Sequence, residues 1–405
     1  MSTHDVDRRR PSALVIGGSV GGLAAAHELR AIGVDVTVYE RSVDRTQPRG
    51  AGIVMQPEVE GLLRSLGRSV PSVSVELTER QQLHRDGRVA RYHAPQWMTA
   101  WDTLYTALRE PLPAASHRLD STLAGLSVED RRVTATFADG HTAEADLLIG
   151  ADGVGSTTRT LAGIHGGVTY PGYVAFRGLE PEDDLPEPLR SLLAERFTSF
   201  GAPGMQMLSY LVPGANGERH RGARRVNWVW YLNTPERDLG RLLTGRSGRH
   251  YENFLPPGES TQEVDTALAT LAEKALPERF AELVALSAVF MQPVFDRAPS
   301  RMVADRVMLI GDAAGTVRPH TASGTSKALG DAAALAYALE GWQPPAALPA
   351  RRLAHWEDQR LAHVNAVAGA GIRLAAQSML GAAGPDYRLA AGDDGGQPTR
   401  RAAPR

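Results

Sequence analysis

Gly17-Gly18-Ser19-Val20-Gly21-Gly22, with Glu40 further on, is a pattern suited to gripping a dinucleotide. The first glycine allows a tight strand-to-helix turn and the last allows close helix–strand packing; between them the backbone must approach a pyrophosphate. Here Ser19 stands where a second glycine is usual, and its hydroxyl can itself donate to phosphate. The helix that follows points its positive end at the phosphates. Glu40 is placed to accept hydrogen bonds from both ribose hydroxyls and disfavours a 2′-phosphate, so the pattern suits FAD or NAD rather than NADP. The plainer alternative is a tight turn with a surface glutamate.

Two further segments carry possible chemistry. Asp146-Leu147-Leu148-Ile149-Gly150-Ala151-Asp152-Gly153 runs on to Ser156 and Arg159. Alone it reads as a strand, a turn and a helix start, with Ser156 capping and Arg159 solvated. Arg306-Val307-Met308-Leu309-Ile310-Gly311-Asp312-Ala313-Ala314 is followed by Arg318-Pro319-His320 and an alanine-rich helix. An aspartate just after a buried strand and a glycine can bond a ribityl hydroxyl, and the helix beyond can face the electron-rich side of a flavin. Alone, Asp312 reads equally as a helix N-cap.

In this order the three segments resemble the group A FAD-dependent aromatic hydroxylases, the p-hydroxybenzoate hydroxylase family. That family is marked by a glycine fingerprint, a DGxxSxxR segment and a GD segment. The resemblance spans about Ala13 to Ala370 and is nearest to the 2,6-dihydroxypyridine 3-hydroxylase branch. The residues carrying that nearer likeness are Gly17-Gly18-Ser19, Gly50-Ala51-Gly52-Ile53-Val54-Met55-Gln56-Pro57-Glu58, Tyr173-Val174-Ala175-Phe176-Arg177-Gly178, Trp230-Tyr231 and Arg318-Pro319-His320.

The resemblance implies that Gly17, Gly18, Ser19, Val20 and Gly22 hold the pyrophosphate and Glu40 and Arg41 the adenosine end. Gly52, Ile53, Val54 and Gln56 would lie beside the isoalloxazine. Asp152 and Arg159 fall in the segment linked to FAD and nicotinamide nucleotide. Gly311, Asp312, Pro319 and Gly324 would complete the flavin site, with Asp312 on the ribityl chain. Two departures stand out: Trp101 occupies a position where many relatives place a flavin-contacting arginine, and Ala322-Ser323-Gly324-Thr325-Ser326 replaces a GQGxN loop.

The implied activity is hydroxylation of an electron-rich aromatic or N-heteroaromatic ring, phenol or hydroxypyridine-like. NAD(P)H reduces non-covalently held FAD, and O2 forms a flavin C4a-hydroperoxide protected from water. Such an electrophile favours an ionised ring hydroxyl, so a base is expected. His320 is the leading candidate, against the alternative of a histidine bonded to loop backbone. Gln56, Tyr210, Trp228 and Trp230 are candidate pocket residues, the aromatics being equally good core residues. A flavin dehydrogenase or reductase on the same scaffold, or a non-catalytic flavin-binding redox sensor, are the rival readings.

Positioning these groups requires an α/β fold: a Rossmann-like FAD-binding domain built from discontinuous segments, an inserted β-sheet substrate domain and C-terminal helices. Ala13–Ile16, the helical stretch to Ile32 and the alternating Val34, Val36 and Val38 make a βαβ unit. Patterning places helices over 56–66, 103–109, 263–286, 326–339 and 353–379, and strands over 132–137, 145–149, 226–232 and 306–310. The expected division is 11–167 FAD-binding, with substrate-module strands near 70–100; 168–295 mainly β substrate domain; 296–380 FAD-binding and C-terminal helices; and 381–405 a disordered tail, like residues 1–10.

Composition narrows the classes. The 405 residues suit two folding units or one unit with an intimate subdomain. With 44 basic and 46 acidic residues, no basic excess calls for nucleic acid or an anionic membrane. The absence of cysteine excludes disulfides, thiolate nucleophiles, Cys-ligated metals and cysteinyl flavin. No metal is expected. No apolar run reaches the ~18 residues of a span, and the polar N-terminus does not read as a secretory signal, so a cytoplasmic enzyme is expected, with a homo-oligomer left open.

Overall fold

The computed structural model describes residues 9–42, 52–381 and 384–389. The first eight residues of the expected lead, and Gly50 and Ala51 of the flavin-loop motif, lie outside the described residues.

A six-stranded sheet orders Val303–Ala304, Val307–Leu309, Leu147–Gly150, Ser12–Ile16, Asp35–Tyr39 and His117–Arg118. All neighbours are parallel except the first pair. Ser12–Ile16 is central because it is apolar on both faces. Ala13 and Val15 pack towards the helices Val20–Ala31 and Gly324–Leu339. Leu14 and Ile16 pack towards an antiparallel three-stranded sheet, through Val133 and Phe137. The chain leaves this strand to one side for Asp35–Tyr39 and returns on the other as Leu147–Gly150. That reversal opens a crevice at the carboxyl ends, where open α/β sheets bind their ligands.

An eight-stranded sheet orders Phe290–Pro293, Tyr173–Pro181, Arg225–Asn233, Met205–Val212, Arg196–Ala202, Val75–Leu83, Val89–Ala100 and Gly52–Val54. Its strands come from both sides of residue 168, and Gly52–Val54 lies in it although its motif was expected beside the flavin. One face buries Phe176, Met207, Trp228 and Trp230 with the helices Gln262–Ala275 and Glu278–Ala285. Trp228 and Trp230 are therefore core residues rather than pocket walls. By strand alternation the opposite face carries Tyr173, Arg177, Gln206, Tyr210, Asn227 and Tyr231. Contacts from Gly52 and His320 turn this polar face towards the parallel-sheet unit.

Three expectations are corrected locally. The helix expected over 263–286 breaks because Leu276, preceding Pro277, is extended. The strand expected over 145–149 divides at Asp146, which is buried and accepts from Ser12 N and Oγ, each at 2.9 Å, and from Arg9. The disordered tail does not hold for residues 384–389: Tyr387 N donates to Asn233 O at 3.0 Å and Leu389 is buried. Residues 382–383 and 390–405 lie outside the described residues. Among the described residues no helix is long and apolar enough to cross a membrane.

Candidate active site

The glycine turn is built for close approach. Gly17 has φ +108°, open to glycine and strained for any other residue, and a Cβ there would lie 2.4 Å from Ala151 O. A Cβ on Gly22 would lie 1.8 Å from Gly17 O. The first N–H groups of the helix Val20–Ala31 have no intrahelical acceptor and its first turn holds no acid. Ser19 does not cap this helix with its side chain; its Oγ accepts from Trp101 Nε1 at 3.3 Å, leaving the hydroxyl proton able to donate. Trp101, the departure from the arginine pattern, thus touches the glycine turn. Glu40 receives Gly18 N at 2.8 Å and Ser42 N at 2.9 Å, which fixes its carboxylate at the end of the second strand. Val20 is buried, and Arg41 is exposed beside Glu40. A side-chain-free turn, unsatisfied helix donors, a hydroxyl and an anchored carboxylate together fit the pyrophosphate and ribose of FAD.

Asp152 and Arg159 hold the neighbouring loop. Asp152 accepts from Thr158 N at 2.9 Å, Thr158 Oγ1 at 3.0 Å and Ser156 Oγ. Ser156 caps the following helix, accepting Arg159 N at 2.9 Å. Arg159 is buried rather than solvated. It donates to Val154 O and Ala313 O, both at 3.0 Å, tying this segment to the Gly311–Asp312 segment.

Asp312 does not cap. Ile310 holds the N-cap position of the short helix Gly311–Ala314 and Asp312 lies in its first turn. Surrounding protein pushes its carboxyl up, with Lys327 opposing, yet 43% of the side chain remains open. Lys327 Nζ lies 4.0 Å from Asp312 and 3.9 Å from Asp331, fully buried and without a hydrogen-bond partner. Asp331 in turn accepts Gly311 N at 2.9 Å and Arg360 Nε at 2.6 Å. The pattern readings overlooked Lys327 and Asp331. A lysine and an aspartate four residues apart on an otherwise apolar helix were the available signal.

Gln56, N-cap of the helix Pro57–Ser65, spends its amide on the loop that replaces GQGxN. Nε2 donates to Ala322 O at 3.2 Å and Thr321 O at 3.4 Å, and Oε1 accepts Ser326 Oγ. Pro319 opens the single turn Pro319–Thr321, and Gly324 begins the helix Gly324–Leu339. Tyr210 donates to Gly52 O at 3.1 Å and stacks on Phe197. A Cβ on Gly52 would lie 2.2 Å from the Tyr210 ring, so glycine lets the strand Gly52–Val54 lie close against Tyr210. Ile53 and Val54 continue that strand, paired with Thr99 and Met98.

His320 is bonded to side chains, not to loop backbone. Nδ1 lies 3.0 Å from Gln206 Oε1 and Nε2 3.0 Å from the Tyr173 hydroxyl. With the Gln206 oxygen as acceptor, Nδ1 carries the proton and Tyr173 donates to Nε2. Burial first, and Arg318 second, hold His320 down to about 4, so the ring is neutral. Arg318 is paired with Asp296 at 2.8 Å and lies over the Tyr173 ring. Burial pushes the phenols of Tyr173, Tyr210 and Tyr231 up. The inner face is thus a polar wall with two buried cations, Arg225, which is paired with Asp102, and Arg177, which has no carboxylate partner among the described residues. None of Gln56, Tyr210 and His320 presents an unengaged group. Arg177 and Gln206 were not singled out as site residues. The alternation Tyr173, Ala175, Arg177 puts a charge on a face of a strand that is otherwise uncharged, and was the signal for the former.

Comparisons with known proteins agree with these features. An FAD binding domain model matches residues 10–176 and 245–369, and an FAD binding domain-like model matches 170–296. A 2,6-dihydroxypyridine 3-monooxygenase of Paenarthrobacter nicotinovorans is 36% identical over 332 residues, 80% of this chain and 81% of the relative. A 3-amino-4-hydroxybenzoate 2-monooxygenase of Streptomyces cremeus is 28% identical over 381 residues, 90% of this chain and 87% of the relative. The solved structure of 2,6-dihydroxypyridine-3-hydroxylase from Arthrobacter nicotinovorans matches with a TM-score of 0.84 at 30% identity, over 98% of this chain and 100% of that one.

Proposed function

Since the chain belongs to the FAD binding domain family and is an FAD-dependent monooxygenase, we propose that it hydroxylates a hydroxyl-bearing aromatic or N-heteroaromatic ring with NAD(P)H and O2. The observation that carries the substrate class is the neutral polar wall of Tyr173, Tyr231, Gln206 and His320, turned towards the nucleotide crevice. The two relatives support it, since their names specify a dihydroxypyridine and an aminohydroxybenzoate. The balance is ring C–H, O2, NAD(P)H and a proton giving ring C–OH, water and NAD(P)+. Bound FAD supplies the two-electron link between nicotinamide and oxygen. The protein binds and orients both partners and keeps water out. Reduced nicotinamide makes the cytoplasm the expected location.

Hydroxypyridines and phenols should accelerate NAD(P)H oxidation, and product formed under 18O2 should carry one labelled oxygen. NAD(P)H oxidation unaffected by any such ring, or product without label, would reject the hydroxylase reading in favour of a dehydrogenase on this scaffold.

Within the proposal, Glu40 accepts from the adenosine ribose, Ser19 and the helix donors face the pyrophosphate, and Asp312 meets the ribityl chain. Charge-assisted hydrogen bonds contribute about 1.5–3 kcal/mol each, so Glu40→Ala should weaken FAD at least ~10-fold. Fluorimetric titration of the apoprotein measures this, and unchanged affinity would remove Glu40 from the ribose. Acid precipitation should release all the FAD, since the link is non-covalent.

A further inference from the structure

Six arginines are buried among the described residues: Arg159, Arg177, Arg224, Arg225, Arg297 and Arg306. Five donate to a carboxylate or a carbonyl. Arg224 pairs with Glu182 and Arg225 with Asp102. Arg159, Arg297 and Arg306 reach backbone oxygens. Arg177 has neither, although it is 7% exposed: its Nε lacks a hydrogen-bond partner, and no carboxylate lies within ion-pair distance among the described residues. Its guanidinium faces the phenols of Tyr231, within hydrogen-bonding reach, and Tyr210. Both are held neutral by burial, so neither balances the charge.

A second buried donor lies on the same face. Arg177 stands opposite Val229 on the neighbouring strand, which makes Asn227 and Tyr231 its diagonal neighbours. Asn227 Oδ1 accepts Gly52 N at 3.2 Å, and its Nδ2 is buried beside the Tyr210 phenol without completing a hydrogen bond. Two unsatisfied donors, one of them charged, are costly to bury unless an acceptor completes them. Tyr231 links this pair to the proposed site, its ring centroid lying 4.6 Å from that of His320.

We propose that Arg177 and Asn227 form a subsite for an anionic oxygen carried by the aromatic substrate, so that the ring is bound as its anion. The inference rests on the hydroxylase reading for the identity of the ligand. It also says where ionisation is driven. His320, held near 4, is a weak proton acceptor for a ring hydroxyl, whereas a cation within ~4–6 Å lowers the pKa of an acid by about 1–3 units.

The probe is 4-nitrophenol, whose ionisation is read by its own absorbance, with benzoate as the carboxylate arm. On FAD-loaded protein, difference titrations across pH should show the bound phenol ionising at least ~1 unit below its solution value. Arg177→Leu should abolish the shift and weaken phenolate binding at least ~10-fold, the equivalent of that unit, and Arg177→Lys should restore part of both. The Leu variant should melt no lower than the parent, because it removes an uncompensated buried charge; a structural arginine would behave oppositely. Displacement of the phenolate by benzoate identifies a carboxylate as the natural anion, and failure to displace it identifies a ring oxide; either supports the subsite. Absent binding, an unshifted pKa in the parent, or a shift surviving in Arg177→Leu overturns it. Labelled product formation is scored separately, so hydroxylation without the shift rejects the subsite alone, and the shift without hydroxylation rejects the function alone.

Discussion

Gly22→Ala should purify colourless. The added methyl group would sit 1.8 Å from Gly17 O, well inside any non-bonded contact, and that oxygen belongs to the turn itself. It cannot swing aside as a flexible side chain could, so the strand and helix must separate where their spacing aims the helix donors. Losing two charge-assisted hydrogen bonds to phosphate, at about 1.5–3 kcal/mol each, should weaken FAD by ~10²-fold or more. Gly21→Ala is the internal control. Its Cβ would meet only the Ala328 methyl group at 3.3 Å, a contact relieved by a few tenths of an ångström. Gly21→Ala should therefore stay yellow, with FAD affinity within a few-fold of the parent. Flavin-to-protein absorbance ratios and titration of the apoproteins compare the pair. If Gly22→Ala kept parental affinity, the turn would not be where the pyrophosphate binds.

The nucleotide-binding half was legible because its elements are local and strongly patterned. Ala13–Ile16, the glycine turn and the Val34–Val38 alternation each fix a backbone conformation whatever surrounds them. The long-range part was not. That Gly52–Val54 joins the larger sheet depends on its pairing with Met98–Ala100, and its seating there on side chains of Tyr210 and Asn227, more than 150 residues away. Trp230 and Tyr231 are adjacent in sequence yet face opposite sides of the sheet, and only the register decides which one belongs to the site. Asp152, Arg159 and Gln56 lay in recognisable segments, but their hydrogen bonds go to neighbouring loops. A motif names the segment and leaves open whether its side chains meet a ligand or hold the loops that do. Lys327 and Arg177 were hidden for a different reason. A charge in an apolar helix or strand is informative only once its burial is known.

His320→Asn should flatten the acid limb of the stability profile and uncouple the reaction. In the fold the ring titrates near 4, against about 6.5 for an unfolded chain. The unfolded state therefore takes up the proton first as pH falls. The stabilisation is complete above about 6.5 and is lost progressively down to about 4, amounting to about 3 kcal/mol at most. Urea unfolding of parent and variant at several pH values between 7 and 4 isolates this contribution, because every other group is common to both. The parent's excess stability should shrink through that window, and parallel profiles would show that His320 is not held neutral. The catalytic consequence follows from its partners. Without the imidazole, the Tyr173 hydroxyl and Gln206 Oε1 lose their shared bridge, and the inner wall beside Tyr231 gains a polar gap open to water. Substrate affinity should stay within a few-fold, since the proposed anion contact lies at Arg177. Hydroxylation should fall by ~10²-fold, because the gap misplaces the ring and admits water to the site, with the consumed oxygen released as hydrogen peroxide. NAD(P)H consumed, peroxide formed and product formed are to be measured on the same samples. Undiminished coupling in His320→Asn would take His320 out of the reaction and leave it a structural brace between the loop after Asp312 and the larger sheet.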